Sequence, residues 1–215
     1  MASEELNNNL RALKKNHIVA AARQLFFSKG YENVTIIEIA KKAGMSKSTL
    51  YTYVKSKEDL FMTIHIEGMK LRKELFLEAM GSKQTGYEKI YSFGEVYFNF
   101  FKNNPGYFKL YMYEDYNNVN KDRVEPELYE EFDELLNELI DFVRNAFYLG
   151  ISDGSLKSNL NVGYCDKYLA YNLRTMLNVA FSPDKVKQLD ENFDDREFYF
   201  QYLDMFMEFV KKADI

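Results

Sequence analysis

The sequence predicts an all-α chain, with an N-terminal three-helix unit that ends in a helix-turn-helix and a larger C-terminal helical body. Three observations lead there. Apolar residues recur at helical spacing along most of the 215 residues. Helix breakers are scarce, with three prolines and ten glycines in all. Between Thr35 and Leu60, two short helices flank a tight turn, and each boundary carries its own chemical marker.

Residues 1 to 9 are polar and read as a frayed end. The first helix is expected from about Asn9 to Lys29, burying Ile18, Ala21, Ala22, Leu25 and Phe26, with Gly30 ending it. Thr35 and Glu38 form a capping box, in which each side chain satisfies the other's orphan backbone N–H. Ile36, Ile39, Ala40 and Ala43 then share one face, and Gly44 stands where a left-handed residue would stop the helix. Ser46 is a suitable N-cap for a second short helix, Lys47 to about Tyr53, anchored inward by Leu50. Paired helices of this kind place the second in a DNA major groove.

Ser56 caps a long helix expected to reach about Met80, with Leu60, Ile64, Leu71 and Leu75 as its inward stripe. His65, on that helix, reads as a partly buried or surface histidine. Gly81 to Gly86 form a loop, and Tyr87 to Lys102 an aromatic-rich helix. Asn104-Pro105 opens a shorter helix, since proline is tolerated at the first helical position. Asp115 to Val124 read as a loop. Pro126 starts a helix to about Leu149 with Gly150 closing it, and Ser152 to Ser155 are a turn-rich link. Two last helices follow, about Val162 to Phe181 and Asp194 to Lys212. The final one is apolar around much of its circumference and so needs packing partners on two sides.

A helix-turn-helix pattern alone also occurs in ordinary cores. Here the pairs Ala21-Ala22, Leu25-Phe26, Gly30-Tyr31, Thr35-Ile36, Ile39-Ala40 and Ala43-Gly44 come in fixed order. Ser46, Ser48-Thr49-Leu50-Tyr51, Tyr53 and Ser56-Lys57-Glu58 follow at set intervals. In order and spacing these residues, from about 11 to 60, resemble the DNA-binding domain of the TetR family of bacterial transcriptional repressors. Val34 and Met45 depart from the family pattern, which more often has a threonine and a smaller β-branched residue there. Beyond residue 60 the resemblance is one of helical architecture only.

The resemblance implies a DNA-binding domain over residues 1–56 and an effector-binding and dimerisation domain over 57–215. Within the head, Lys47, Ser48 and Thr52 are expected to reach base edges. Thr49, Tyr51 and Tyr53 offer hydroxyls to phosphates, and Lys57 lies in a helix first turn that attracts phosphate. Thr35 joins that DNA-contacting set. Arg11, Lys14 and Lys15, near the start of the first helix, are placed where they could touch the DNA backbone, but most of them read as solvated surface. The family places an inducer cavity among the middle helices, for which Phe93, Tyr97, Tyr111, Phe142 and Tyr171 are candidate walls for a small hydrophobic or aromatic effector. It pairs the last two helices with a second copy, which nominates Leu169, Leu173, Met176, Tyr202, Met205, Phe206 and Phe209 as a homodimer interface. The implied function is a ligand-released repressor that binds a palindromic double-stranded DNA operator as a dimer. The rival reading keeps the fold but binds a protein partner, or binds DNA without regulating transcription.

Charge and composition agree with a DNA-binding head. The net charge is −5, yet residues 1 to 57 hold ten basic and four acidic side chains, a net +6 that leaves −11 on the remainder. That asymmetry concentrates positive potential at the helix-turn-helix. Cys165 is the lone cysteine, the start Met-Ala-Ser-Glu-Glu has no apolar signal region, and no run is apolar enough to span a membrane. A cytoplasmic location is expected. No enzyme, cofactor or metal site is expected either. Lys14 and Met62 stand three residues before His17 and His65, where a carboxylate metal motif would need glutamates. There is no Cys/His cluster of zinc spacing and no phosphate-cradling glycine loop.

Overall fold

The computed structural model describes residues 2–117, 120–181 and 193–212. Among these residues there are nine α-helices and no strand. They are α1 (Ala2–Lys29), α2 (Ile36–Lys42), α3 (Lys47–Leu50), α4 (Lys57–Gly81), α5 (Gly86–Asn103), α6 (Pro105–Asn117), α7 (Pro126–Asp153), α8 (Val162–Ala180) and α9 (Asp195–Val210). A 3₁₀ turn at Lys121–Arg123 precedes α7. The chain packs as two compact units, residues 1–70 with 104–135, and residues 71–103 with 136–215. The packing unit that holds the helix-turn-helix therefore reaches past residue 56, to include the start of α4, all of α6 and the start of α7.

In the first unit, Ile18, Ala22 and Phe26 of α1, Ile39 of α2, Leu50 of α3 and Leu60, Phe61 and Ile64 of α4 form a core with almost no exposure. Glycine allows α6 to come close. A Cβ on Gly106 would sit 2.2 Å from Phe27 Cγ, and one on Gly68 would sit 2.6 Å from Tyr107 Cδ1. Phe27 and Tyr107 meet edge to face at 4.9 Å in the space so made. His65 is buried among rings, 5.5 Å from Phe132 and 5.9 Å from Phe61. The first helix starts at Ala2, not near Asn9.

The caps follow the expected chemistry. Thr35 and Glu38 make the reciprocal capping box. Gly44 takes φ +67°, with Gly44 N–H donating to Lys41 C=O and Met45 N–H to Ala40 C=O, the paired bonds of a Schellman stop. Lys29 donates to the free side of Glu38 at 2.7 Å. That contact, followed by the Thr35 backbone and hydroxyl, pulls the Glu38 carboxyl down from 4.5 to about 2.

In the second unit, α5 is the central element. Phe93 stacks on Phe76 at 4.5 Å and on Tyr97 at 5.7 Å, and Tyr97 meets Phe101 edge to face. The Tyr199 hydroxyl of α9 donates to Gly94 C=O at 2.9 Å, which fixes α9 against α5. α8 packs on α9, and Leu169, Leu173 and Leu177 of α8 and Leu203 and Val210 of α9 are all completely buried.

Several boundaries and faces differ from expectation. The buried row of α4 runs in steps of four through Leu60, Ile64, Gly68, Arg72, Phe76 and Met80. Leu71 and Leu75 are 45% and 41% exposed, because glycine and arginine occupy the core positions that an apolar count skips. Helix α7 continues to Asp153 and stops at Gly154, which has φ +78°. Gly150 lies inside the helix, where the start of α5 meets it; a Cβ on Gly86 would come within 2.1 Å of Gly150 N. Helix α6 extends to Asn117, three residues into the expected loop, of which residues 118 and 119 lie outside the described residues. Regular α3 ends at Leu50, and turns carry the chain on to Tyr53.

Three outcomes follow from these contacts. Gly106→Ala should lower the urea-unfolding free energy by about 1–3 kcal/mol through overpacking against Phe27. Gly81→Ala, whose Cβ would meet nothing within 4 Å, should stay within about 0.5 kcal/mol of the parent. Since the folded Glu38 pKa of about 2 lies below its ordinary 4.5, its stabilisation is complete above pH 4.5 and is lost as pH falls towards 2. Glu38→Gln should therefore show a shallower loss of stability across that window than the parent. Parallel profiles would mean that the Lys29–Glu38–Thr35 contacts do not contribute.

Candidate nucleic-acid interface

Leu50, fully buried, pins the inner side of α3, so that Lys47, Ser48, Thr49, Tyr51 and Thr52 are all exposed on the other. Tyr53 is half-buried. The structure thus brings the expected contact residues onto one continuous surface. Their donors are not equally available. Ser46 Oγ accepts Thr49 N–H at 3.0 Å and lies 2.8 Å from the hydroxyls of both Ser48 and Thr49. Thr52 Oγ1 donates to its own helix at Thr49 C=O, 2.7 Å away, so the expected Thr52 base contact competes with a local bond. Lys47 has no such tie; its Nζ hovers 5.9 Å from the Tyr51 ring.

Thr35 and Lys57 also make contacts within the chain. Both the backbone N–H and the hydroxyl of Thr35 are directed to the Glu38 carboxylate, which makes it a cap before it is a DNA contact. Lys57 Nζ stands 4.0 Å over the Tyr31 ring, and burial lowers its pKa. Burial likewise pushes the Tyr31 hydroxyl well above the ordinary phenol range, with Glu58 adding to the effect. Tyr51, Lys55, Lys57, Tyr31 and Arg123 border a cleft of about 700 Å³ beside the reading surface.

The exit from this surface is tied to the start of α7. Asp59, 5% exposed, accepts Lys55 N–H at 2.7 Å and Glu125 N–H at 2.8 Å. Ser56 Oγ accepts Asp59 N–H and donates to Arg123 C=O at 2.6 Å. Arg123 in turn reaches Glu58 at 3.1 Å. The Ser56–Asp59 spacing is visible in the sequence as a cap; the second partner of Asp59, 66 residues on, has no sequence signal.

Of the effector candidates, Phe93 and Tyr97 are buried and stacked together. Phe142 is half-buried in the same unit, and Tyr111 belongs to the first unit, with its ring 6.3 Å from His65. Tyr171 is 65% exposed and lines no interior, which corrects its place in the cavity set. Arg72, unexpected from sequence, is buried with its guanidinium 5.4 Å from Tyr97 and 5.3 Å from Phe101. Of the dimerisation candidates, Leu169, Leu173 and Phe206 are buried within the chain and cannot face a partner as they stand. Met205 and Phe209 are 69% and 59% exposed, while Met176 and Tyr202 are half-buried. The outward side of α8 carries Tyr164, Tyr168 and Tyr171 at helical spacing.

Among the described residues no three His, Cys, Asp or Glu side chains converge as a metal site, and no helix is long and apolar enough to cross a membrane. Cys165 is free and buried, which raises its thiol pKa.

The family model for bacterial regulatory proteins of the tetR family matches residues 18–64. The HTH-type transcriptional regulator QacR of Staphylococcus aureus is 37% identical over 83 residues, 38% of this chain and 44% of QacR. The HTH-type transcriptional regulator YhgD of Bacillus subtilis is 25% identical over 175 residues, 81% of this chain and 85% of YhgD. The chain therefore spans less than half of QacR but most of YhgD. Among solved structures, the transcriptional regulator FadR of Bacillus subtilis in complex with stearoyl-CoA superposes with a TM-score of 0.71 at 21% identity, covering 90% of this chain and 98% of FadR. AibR in complex with isovaleryl coenzyme A and operator DNA superposes at 0.66 and 18%, covering 89% and 97%. These likenesses show the same fold along nearly the whole chain, and the match to the tetR-family regulatory-protein model is confined to residues 18–64, the segment that holds the helix-turn-helix.

Proposed function

We propose that the chain is a DNA-binding transcriptional regulator, a repressor that holds a palindromic operator as a homodimer and is released by a small effector. The observation that carries this is the exposed Lys47–Tyr53 surface, fixed from behind by Leu50 and from both ends by Ser46 and Asp59. Two such surfaces related by a two-fold axis would meet successive major grooves about 34–36 Å apart. The functional division runs at residue 56, with head 1–56 and body 57–215, although the packing units overlap it.

The dimer surface is the outward side of α8 and α9. Tyr168, Tyr171, Met205 and Phe209 are large, apolar and more than half exposed, and Met176 and Tyr202 flank them. Such a concentration of exposed aromatic surface marks an association site. The effector reading rests on the Phe93–Tyr97 stack and Phe142 in the body, an aromatic lining suited to a hydrophobic or aromatic molecule. Because FadR and AibR, which share this fold, are complexes with acyl-CoA thioesters, that class is the first to screen. Release needs the effector to bind the two states differently, and a coupling of about 1–3 kcal/mol suffices.

Selection of sites from a random duplex pool should enrich a palindrome. Lys47→Ala should relax preference at one base position, whereas Tyr51→Phe should weaken all sequences alike, because phosphate contacts carry no sequence information. Unchanged base preferences for Lys47→Ala would exclude it as the reading residue. Tyr168→Glu with Met205→Glu should shift the chain to monomer in sedimentation equilibrium while helix content is kept; a persistent dimer would exclude this surface. A stable dimer that enriches no duplex would favour a protein-binding role for the fold.

A further inference from the structure

We infer that the N-terminal half of α1 is a second nucleic-acid contact, in which Arg11, Lys14 and Lys15 hold phosphodiester oxygens of the duplex backbone beside the groove read by α3. The inference rests on the DNA-binding reading above and deepens it. All three residues precede the segment 18–64 that carries the family match.

The argument begins with helix phase. At 100° per residue, the core stripe Ile18, Ala22 and Phe26 continues towards the N-terminus as Lys15, Lys14 and Arg11. Where α1 outruns the core, its inner face therefore changes from apolar to basic. The opposite side carries Leu6 and Leu13, which are 61% and 64% exposed. A merely solvated helix end would be arranged the other way, with leucines inward and charges outward. Here the charges are on the side that faces the reading turn.

Side-chain positions agree with that direction. Arg11 Nη2 donates to Thr52 C=O at 3.3 Å, and Lys14 Nζ lies 5.9 Å from the Tyr53 ring. Arg11, Lys15 and Lys55 border one cleft of about 300 Å³ together with Tyr51, Thr52 and Tyr53. Two carboxylates share that cleft. Both oxygens of Asp59 accept backbone N–H groups, and Glu125 sits 4.0 Å from Lys55. Lys14 and Lys15 have no carboxylate partner among the described residues. A guanidinium carries five N–H donors in a rigid fork, enough to serve a carbonyl and a phosphate together. The arrangement adds charge at the last turn of the reading segment, where the backbone of a groove-bound duplex passes.

The test compares the parent with R11A/K14A/K15A on the duplex the parent selects and on an unrelated duplex. The variant should bind both more weakly by a similar factor. Its slope of log affinity against log salt should be shallower by roughly 0.9 for each phosphate it no longer neutralises. Base preferences should not change, and ethylation interference should vanish only at phosphates flanking the core site. An unchanged salt slope and interference pattern would overturn the inference. Altered base preferences with an unchanged slope would also overturn it, since Arg11 would then only support the turn at Thr52. If the triple variant melts early, K14A/K15A keeps the Arg11–Thr52 bond and is read by the same criteria. A parent chain that binds no duplex at all would instead overturn the DNA-binding reading, and this inference with it.

Discussion

Both oxygens of Asp59 are used inside the protein, one on the N–H of Lys55 and the other on the N–H of Glu125. A carboxylate with so little exposure is tolerable only when its lone pairs are satisfied. The two donors belong to chain segments with very different tasks. Lys55 ends the reading turn, and Glu125 immediately precedes α7, which runs on for 28 residues. Removing one partner would leave a buried acceptor unmet, at a cost of about 1–3 kcal/mol, so the two segments keep a fixed register. The placement of Tyr51, Tyr53 and Lys57 depends on that register, since all three lie close to Lys55 and Asp59 along the chain.

Elements marked by chemistry within a few residues were legible in the sequence. The Thr35–Glu38 box, the left-handed Gly44 and the Ser46 cap all appear where local hydrogen bonding requires them. What local chemistry cannot reveal is which neighbour a helix face will meet. Gly68 looks like a weak point of α4 but is where Tyr107 enters, and Arg72 looks like surface but lies among rings. Gly150 resembles a stop signal because glycine commonly ends helices; its missing Cβ instead leaves room for the Leu156 side chain, which would stand 2.5 Å from it.

The candidate sites divide along the same line. The proposed DNA contacts from Lys47 to Tyr53 are contiguous in sequence, so one anchor, Leu50, settles which side chains project. The body residues come from helices that are apolar around much of their girth. On α8, the choice between Leu169 and Tyr168 as the inward residue rests on the shape of α9 opposite, and no periodicity decides it. Leu169 lies inward and Tyr168 outward. The hydroxyl network Ser46–Ser48–Thr49 is likewise invisible in the sequence, because three adjacent hydroxyls can bond to solvent, to DNA or to one another.

Helix α3, the proposed reading helix, has only four residues in regular α conformation. A single turn of helix is far below the length that sustains itself in water, because nucleation fixes about six dihedrals for one hydrogen bond. The proposed DNA surface is therefore no independent module. It exists through the Leu50 contact, the Ser46 cap and the Gly44 stop, and it forms and dissolves cooperatively with the head that carries it. Its backbone amides, including that of Val54 on Leu50 C=O, consequently belong to the same foldon as the core of α1, and recognition inherits the full cooperativity of folding in place of the fraying expected of so short a helix.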